Sequence, residues 1–340
     1  MKFGRFIVRR LLFLVPTLIG VSLLTFFVSH VVPGDPARLV AGLEASEEQV
    51  QAIRDDLGLD RPIYVQYLDY MNDLLHGDLG QSVLNRRPVM KNLQTFFPAT
   101  VELALMAFLI SVLVGVPLGV LTAVNKDGFL DNILRIASLT GVAFPMFWVG
   151  IILLLIFYFK LGWFPGGGRV DHMLLVREEV KPFTHSLLID SVIAGNWVVL
   201  GNALWHLVLP AITLSFGPTA RFMRFTRTTM LEVMGEMYIQ TARAKGLSER
   251  IVIYRHALRN ALIPTVTLMG IAIGYMLGGS VLVETIFGWP GLGKYAYDSI
   301  VFLDYTSIMG VTLLATVIFL FANLLVDLTY VFLDPKIEYT

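Results

Sequence analysis

Residues 101–124 read VELALMAFLISVLVGVPLGVLTAV, an apolar run in which Glu102 is the one ionisable side chain. A helix of about 20 mostly apolar residues is long enough to cross the hydrocarbon core of a bilayer. The run therefore predicts a membrane-spanning helix, and the rest of the sequence repeats the pattern. Five further segments meet the same requirement: residues 11–32, 134–159, 204–222, 263–283 and 309–330.

The composition of the whole chain suits a bilayer better than water. Of its 340 residues 56% are hydrophobic and 15% are charged, whereas a soluble domain carries roughly 25% charged residues. Lys plus Arg and Asp plus Glu each number 26, so the net charge gives no reason to expect nucleic acid as a partner. There is no cysteine, which excludes disulfides and thiolate metal sites. We predict an all-α polytopic membrane protein with about six transmembrane helices, surrounded by membrane lipid.

Several predicted spans contain proline, among them the third with Pro145 and the fourth with Pro210 and Pro218. Proline is tolerated in a membrane helix where neighbouring helices can satisfy the carbonyl that it frees. We therefore expect kinks at these positions rather than breaks.

The distribution of basic residues predicts how the spans are oriented, because cytoplasmic loops are enriched in Lys and Arg. With a cytoplasmic N-terminus, the inside segments would be 1–10, 125–135, about 221–260 and the tail after residue 333. These segments are shorter than the outside loops and yet hold more basic residues, while the first outside loop is acidic. Both chain termini are therefore predicted to be cytoplasmic. The apolar run after Arg10 is too long for a signal peptide, so a retained first span is expected.

The predicted spans divide the chain into three parts. Residues 1–32 would form the N-terminal cytoplasmic end and the first transmembrane helix. Residues 33–99 would form an extracytoplasmic helical loop. Residues 100–340 would form a core with five transmembrane helices, including a cytoplasmic loop over residues 224–262.

One helix of the first loop has a clear start signal in the sequence. Ser46 and Gln49 fit a capping box, in which the side chain of each residue bonds the backbone of the other. Gly58 would end this helix, since glycine adopts the left-handed conformation that terminates helices.

The most informative segment, residues 238–260, lies between the fourth and fifth spans. Gly246 predicts the end of one short helix, and Ser248 with Glu249 predicts the cap of the next. Small residues before Gly246 leave the first helix slim enough to enter a groove on another protein. The segment is also cationic, through Arg243, Lys245, Arg250, Arg255 and Arg259. On composition alone, an ordinary basic loop that follows the positive-inside bias explains it equally well.

Motifs in this segment and elsewhere resemble one protein family. Gln240-Thr-Ala-Arg-Ala-Lys-Gly246, followed by His256-Ala-Leu-Arg-Asn-Ala-Leu-Ile-Pro264, looks like the EAA-type loop of bacterial ATP-binding-cassette (ABC) importer permeases. The other matching motifs are Pro33-Gly34-Asp35-Pro36, Gly77-Asp78-Leu79-Gly80, Glu284-Thr-Ile-Phe-Gly-Trp-Pro-Gly-Leu-Gly293 and Asp334-Pro335-Lys336-Ile337. The chain most closely resembles the B-type permease subunit of dipeptide and oligopeptide importers. Gln240 replaces the glutamate that names the loop, and the peptide subgroup shares this departure.

The resemblance implies a type I ABC importer permease fold and a transport function. The chain would be the permease subunit of an ATP-driven importer of dipeptides or short peptides, in the bacterial cytoplasmic (inner) membrane. Its partners would be a second homologous permease subunit, two ABC ATPase subunits and an extracytoplasmic peptide-binding protein. The ATPase subunits would use ATP and Mg, so this chain would bind no cofactor and would not itself be an enzyme. The exact substrate stays open, because relatives carry glutathione or nickel chelates. Heme is a further candidate.

By the same resemblance, the segment at 238–260 docks into a cleft of an ATPase subunit and transmits its closure to the membrane helices. The residues implied in docking are Tyr238, Gln240, Thr241, Ala242, Arg243, Ala244, Lys245, Gly246, Leu247, His256, Arg259 and Asn260.

Two acidic residues within predicted spans are candidates for a role at membrane depth, where ionisable groups are expensive. Glu102 lies near the predicted start of its helix, where a carboxylate complements the helix dipole. Asp327 lies about one turn from the predicted cytoplasmic end of the last span and could pair with a basic loop residue. A structural role is the preferred interpretation of both.

Two alternatives to the importer subunit have to be weighed. A solitary secondary transporter or channel predicts buried charges or an inverted repeat with paired broken helices, and neither is clear in the sequence. A membrane enzyme requires clustered nucleophilic, acid–base or metal-binding residues at membrane depth, and none is visible.

Residues 288–294 match the first seven positions of a phosphate-binding P-loop. Tyr295 stands where Ser or Thr would bind magnesium, however, and no buried strand precedes the motif. We interpret this stretch as a turn that packs the end of the fifth span, so the sequence predicts no nucleotide site on this chain.

Overall fold

The computed structural model describes residues 2–31, 36–42, 45–56 and 58–333, and all regular elements in these ranges are helices. In chain order they are α1 (Lys2–Val31), α2 (Pro36–Ala41), α3 (Glu47–Asp56), α4 (Ile63–Leu75), α5 (Val89–Val124), α6 (Phe129–Ala143), α7 (Met146–Leu153), α8 (His172–Arg177), α9 (Leu187–Ile193), α10 (Trp197–Met234), α11 (Met237–Ala244), α12 (Glu249–Ile251), α13 (Leu258–Leu277), α14 (Val281–Ile286), α15 (Leu292–Val301) and α16 (Tyr305–Leu333). Two π-helical stretches continue these helices, Leu154–Lys160 after α7 and Val252–Ala257 between α12 and α13. The motif residues 33–35 and 334–337 lie outside the described ranges.

Five helices of the described chain are long and apolar enough to cross a membrane. They are α1, α5, α10, α16 and the continuous helix Glu249–Leu277, which is formed by α12, its π-helical stretch and α13. The bent pair of α6 and α7 brings the number to six if it is counted as one span. The predicted all-α polytopic fold is thus confirmed.

The third predicted span is broken rather than kinked, so the expectation at Pro145 is wrong. Helices α6 and α7 meet at a bend of 105°. Phe144 and Pro145 are both extended, with ψ of 133° and 132°. Proline disfavours helical conformation for the residue before it, which fits the end of α6 at Ala143.

The fourth predicted span is continuous, as expected. Helix α10 runs from Trp197 to Met234 with Pro210 and Pro218 inside it. Both prolines are buried, and α10 packs along α5, α6 and α13. Neighbouring helices thus contact the part of α10 that contains the prolines. Such contacts make proline tolerable in a membrane helix.

The fifth span is displaced from its predicted position at 263–283. Its helix begins at Glu249 and ends at Leu277, and α14 follows as a separate short helix after Gly278 and Gly279. The apolar pattern continues across the two glycines, which explains why the sequence placed the end too late.

Helices α5 and α10 form the centre of the bundle, where their backbones approach closely at two glycines of α5. A Cβ atom on Gly115 would lie 2.8 Å from the Thr219 carbonyl oxygen, and one on Gly119 would lie 2.6 Å from that of Met223. Small residues permit this close packing, which is how membrane helices gain van der Waals contact in the absence of a hydrophobic driving force.

A buried ion pair joins α6 to α10 near the α11 end of the bundle. Arg227 donates two hydrogen bonds of 2.7 Å to the Asp131 carboxylate, which is fully buried. The Asp127 backbone N–H donates a third bond to the same carboxylate at 3.0 Å. The two hydrogen bonds between Arg227 and Asp131 fix the start of α6 against α10.

A second buried ion pair corrects the interpretation of Glu102. Helix α5 begins at Val89, so Glu102 lies within the helix and not at its positive end. Its carboxylate pairs with Arg169 at 2.7 Å and accepts hydrogen bonds from the Ser186 hydroxyl at 2.7 Å and the Leu188 N–H at 2.9 Å. Glu102 therefore fixes the loop between α7 and α10 to the bundle. The side chain of Asp327 lies outside the described part of the chain, so its pairing stays a prediction.

The stretch that resembles a P-loop is a buried turn, as interpreted from the sequence. The Trp289 indole is 1% exposed and donates to the Ala99 carbonyl at 2.8 Å. Glu284 accepts hydrogen bonds from the Thr100 hydroxyl at 3.0 Å and the Lys294 N–H at 2.9 Å. Burial raises the pKa of the Glu284 carboxyl. These bonds attach the turn to α5 at the end of the bundle opposite α11.

The loop before α5 is helical and packs on the first span. Ser46 and Gln49 form the predicted capping box, with bonds of 3.0 and 3.3 Å. Tyr67 on α4 hydrogen-bonds Ser22 on α1 at 3.0 Å, and its ring packs edge-on against Phe26. Helix α4 thus lies next to α1.

We expect Gly119→Ala to lower the melting temperature of the detergent-solubilised protein, because its methyl group would overlap the α10 backbone. Overpacking of this kind costs about 1–3 kcal/mol. Gly201→Ala is the matched control, since a Cβ there meets no atom within 4 Å. Equal melting temperatures for the two variants would contradict close packing of α5 on α10.

We expect Asp131→Asn to destabilise the protein by about 3–5 kcal/mol, because Arg227 would keep a largely buried, unpaired charge. The control is Lys294→Gln, whose half-exposed pair with Asp298 should contribute at most about 1 kcal/mol. Thermal unfolding in detergent measures both effects. A loss for Asp131→Asn no larger than that of the control would show that the buried pair does not hold α6.

Candidate functional site

The segment between α10 and α13 folds as two helices joined by a glycine turn, as the sequence predicted. Gly246 has a φ of +77°, a conformation that favours glycine. The Gly246 N–H bonds the Arg243 carbonyl at 2.9 Å, and the Leu247 N–H bonds the Ala242 carbonyl at 3.3 Å. This pair of bonds is a Schellman motif, and it fixes the direction in which the chain leaves α11.

The inner face of α11 is built into the bundle. Ile239 and Ala242 are buried and pack in one cluster with Val120 of α5, Met230 of α10 and Val252 of the following helix. Ala242 was implied as a docking residue, but it faces the chain's own core. Its small side chain lets α11 lie close to the bundle.

Most of the other implied docking residues lie on the exposed face of the segment. They are Tyr238, Gln240, Thr241, Arg243, Ala244, Lys245, Gly246, Leu247, Arg259 and Asn260. His256 is partly buried. Ten of the twelve implied residues are therefore exposed, and Ala242 is buried beneath α11.

Two side-chain contacts brace this surface. Arg243 of α11 pairs with Glu249 of α12 at 2.8 Å across the glycine turn. The Asn260 amide donates to the Tyr238 hydroxyl at 2.9 Å. Ser248 occupies the predicted N-cap position, but its side chain makes no capping hydrogen bond, so the predicted cap is wrong in this detail.

Sequence reasoning missed three exposed apolar side chains in the same segment of the chain. Met237 is 80% exposed, Tyr254 61% and Ile251 40%. Solvent-exposed apolar residues that group together indicate a binding surface. The spacing of three between Ile251 and Tyr254, which places both on one helix face, was the available signal.

The surface is connected directly to a membrane span. The helix Glu249–Leu277 has 29 residues, so about 43 Å of continuous helix runs from the glycine turn into the bundle. A force applied at α11 and α12 therefore acts on α13 without an intervening flexible loop. No group of three or more His, Asp or Glu side chains in the described chain is arranged to hold a metal ion.

Comparison with known proteins identifies the family. A family model for "Binding-protein-dependent transport system inner membrane component" matches residues 115–339. A second model, for the N-terminal part of such membrane components, matches residues 3–104.

Individual relatives match over nearly the whole chain. The probable D,D-dipeptide transport system permease protein DdpB of Escherichia coli K12 is 46% identical, over 95% of this chain and 94% of its own length. The dipeptide transport system permease protein DppB of the same strain is 42% identical, over 98% of this chain and 99% of its own.

A solved structure of the inward-facing MetNI methionine ABC transporter shares the fold. It has a TM-score of 0.51 and 16% identity, and the match covers 72% of this chain and 97% of that one. At this identity the likeness concerns the fold alone. Together with the family models, it leads to one conclusion: this chain belongs to the family of binding-protein-dependent transport system inner membrane components, and it is a multi-pass permease subunit of the bacterial inner membrane.

Proposed function

We propose that this chain carries dipeptides or short peptides into the cytoplasm as one permease subunit of an ATP-driven importer, and that α11 and α12 dock its ATPase. The observation that carries the docking proposal is the surface formed by these two helices. It is exposed on one face, packed into the bundle on the other, and continuous with a membrane span.

The proposed coupling is mechanical. An ATPase subunit would hold α11 and the glycine turn in a cleft, with Met237 and Tyr254 contributing apolar contact and Lys245 contributing charge. Closure of the ATPase dimer would then move α12 and α13 together and favour one arrangement of the spans over another. ATP and Mg would be bound by the ATPase subunits, and the chemistry would stay there.

The proposed assembly contains four kinds of subunit: this chain, a second homologous permease, two ABC ATPase subunits and a peptide-binding protein. Membership of this family supports an assembly with ATPase and binding-protein partners. It disfavours a transporter that works alone. The loops at 33–99 and 160–203 would face outward and receive the binding protein, with both chain termini in the cytoplasm. The length of both loops, the acidity of the first and the basic residues at the α11 end support this orientation.

The proposed substrate class follows the names of the relatives. Both DdpB and DppB are permeases of dipeptide transport systems and align over nearly their full length. A glutathione transport system permease of Escherichia coli O6:H1 is also 38% identical, so short peptides in a broader sense fit the comparison.

We expect the double substitution Met237→Ala and Tyr254→Ala to reduce co-purification of the ATPase subunits at least about tenfold, which corresponds to 1.4 kcal/mol. Both side chains are exposed in the isolated chain, so the fold should be unaffected. The control is Leu75→Ala, which removes an 80% exposed side chain from α4. Detergent extraction of the complex, followed by binding-protein-stimulated ATPase assay, measures the effect.

Normal ATPase recovery with the double variant would contradict docking at this surface. Loss of ATPase recovery with Leu75→Ala as well would point to general instability of the complex. We expect normal recovery with Leu75→Ala, because Leu75 lies on α4 whereas Met237 and Tyr254 lie between α10 and α13.

A further inference from the structure

A cavity of about 450 Å³ opens between α7, α10 and α13. Met146 lies on one side of it, immediately after the break between α6 and α7. Gly279 and Ser280 lie on another side, at the break between α13 and α14. Transporters form substrate sites at discontinuous membrane helices, because breaks expose backbone groups and allow movement.

Arg221 is the one charged residue that lines this cavity. It is exposed, and within the described chain it forms no hydrogen bond or ion pair. Two other arginines of the bundle, Arg169 and Arg227, are paired with buried carboxylates. The Arg221 guanidinium therefore has no partner within the described chain and is open to a ligand.

Arg221 lies in the second half of α10, about 20 Å along the helix from its end at Met234, and borders the cavity.

The rest of the lining is suited to a small ligand of variable shape. Met146 and Met276 provide flexible thioether side chains, which adapt to different apolar groups. Tyr275 is 69% exposed and offers a ring face and a hydroxyl. A volume of about 450 Å³ also lies within the range of pockets for small molecules, about 300–1,000 Å³.

We infer that Arg221 binds the C-terminal carboxylate of a peptide in transit, while the methionines and Tyr275 contact its side chains; this rests on the proposed function. A guanidinium binds a carboxylate through two parallel hydrogen bonds. Every linear peptide with a free C-terminus carries this carboxylate, whatever its side chains. Arg221 would thus recognise the shared end of the substrates and leave the variable parts to the adaptable lining.

The test compares a dipeptide with its C-terminal amide. The complete complex is reconstituted in liposomes of neutral phospholipid, and each substrate is supplied at a concentration that saturates the binding protein. We expect the wild type to transport the dipeptide about tenfold faster than the amide, the equivalent of 1.4 kcal/mol. Arg221→Gln should reduce dipeptide transport to the amide rate, and Arg221→Lys should be intermediate because lysine cannot form the two-point contact.

Arg135→Gln is the control, since Arg135 is an exposed arginine of α6 outside the cavity lining. It should keep the wild-type preference. Subunit recovery by gel filtration accompanies every variant, so that a loss of assembly is recognised.

Three results would overturn the inference. Equal slowing of both substrates by Arg221→Gln would show a general role in movement. Loss of the second permease from both Arg221 variants would assign the guanidinium to a carboxylate of that subunit. A preference that disappears when anionic phospholipid is added would assign it to a lipid headgroup. If the wild-type complex transports no dipeptide at all with ATP and binding protein, the proposed function fails instead.

Discussion

The close approach of α5 to α10 is the contact on which the other parts of the bundle depend. Gly115 and Gly119 bring the two backbones together, and both helices extend well beyond this contact. In the first half of α5, Thr100 and Glu102 hold the buried turn and the loop before α10. At the other end, Val120 supports α11. One helix pair therefore positions features at both ends of the bundle.

The α5–α10 pair carries two buried ion pairs, at Glu102 and at Asp131. The helix Glu249–Leu277 carries the proposed docking surface at one end and borders the cavity near the other. In the proposed importer, ATPase closure acts on the exposed end, and the breaks after α6 and after α13 allow the cavity to change shape.

Local sequence signals predicted local structure well. The apolar runs located the spans, the left-handed turn at Gly246 followed from its glycine, and Ser46 with Gln49 formed the expected cap. Contacts distant in sequence were not predictable in this way. Glu102 and Arg169 are 67 residues apart, and no periodicity connects them. The inward direction of Ala242 was missed for a related reason, because it depends on which face of α11 the ends of α5 and α10 cover.

The central claim is that α12 and α13 move as one rigid unit when the ATPase subunits close. The chain has no cysteine, so spin labels can be placed at Arg250→Cys and Ile271→Cys in the complete complex, with cysteines removed from its partners. Pulsed electron–electron double resonance then compares the nucleotide-free and ATP-bound states. We expect an unchanged distance within this pair and a changed distance between Arg250→Cys and a label at Ile19→Cys on α1. A changed distance within the pair would show that the two helices do not move as one unit.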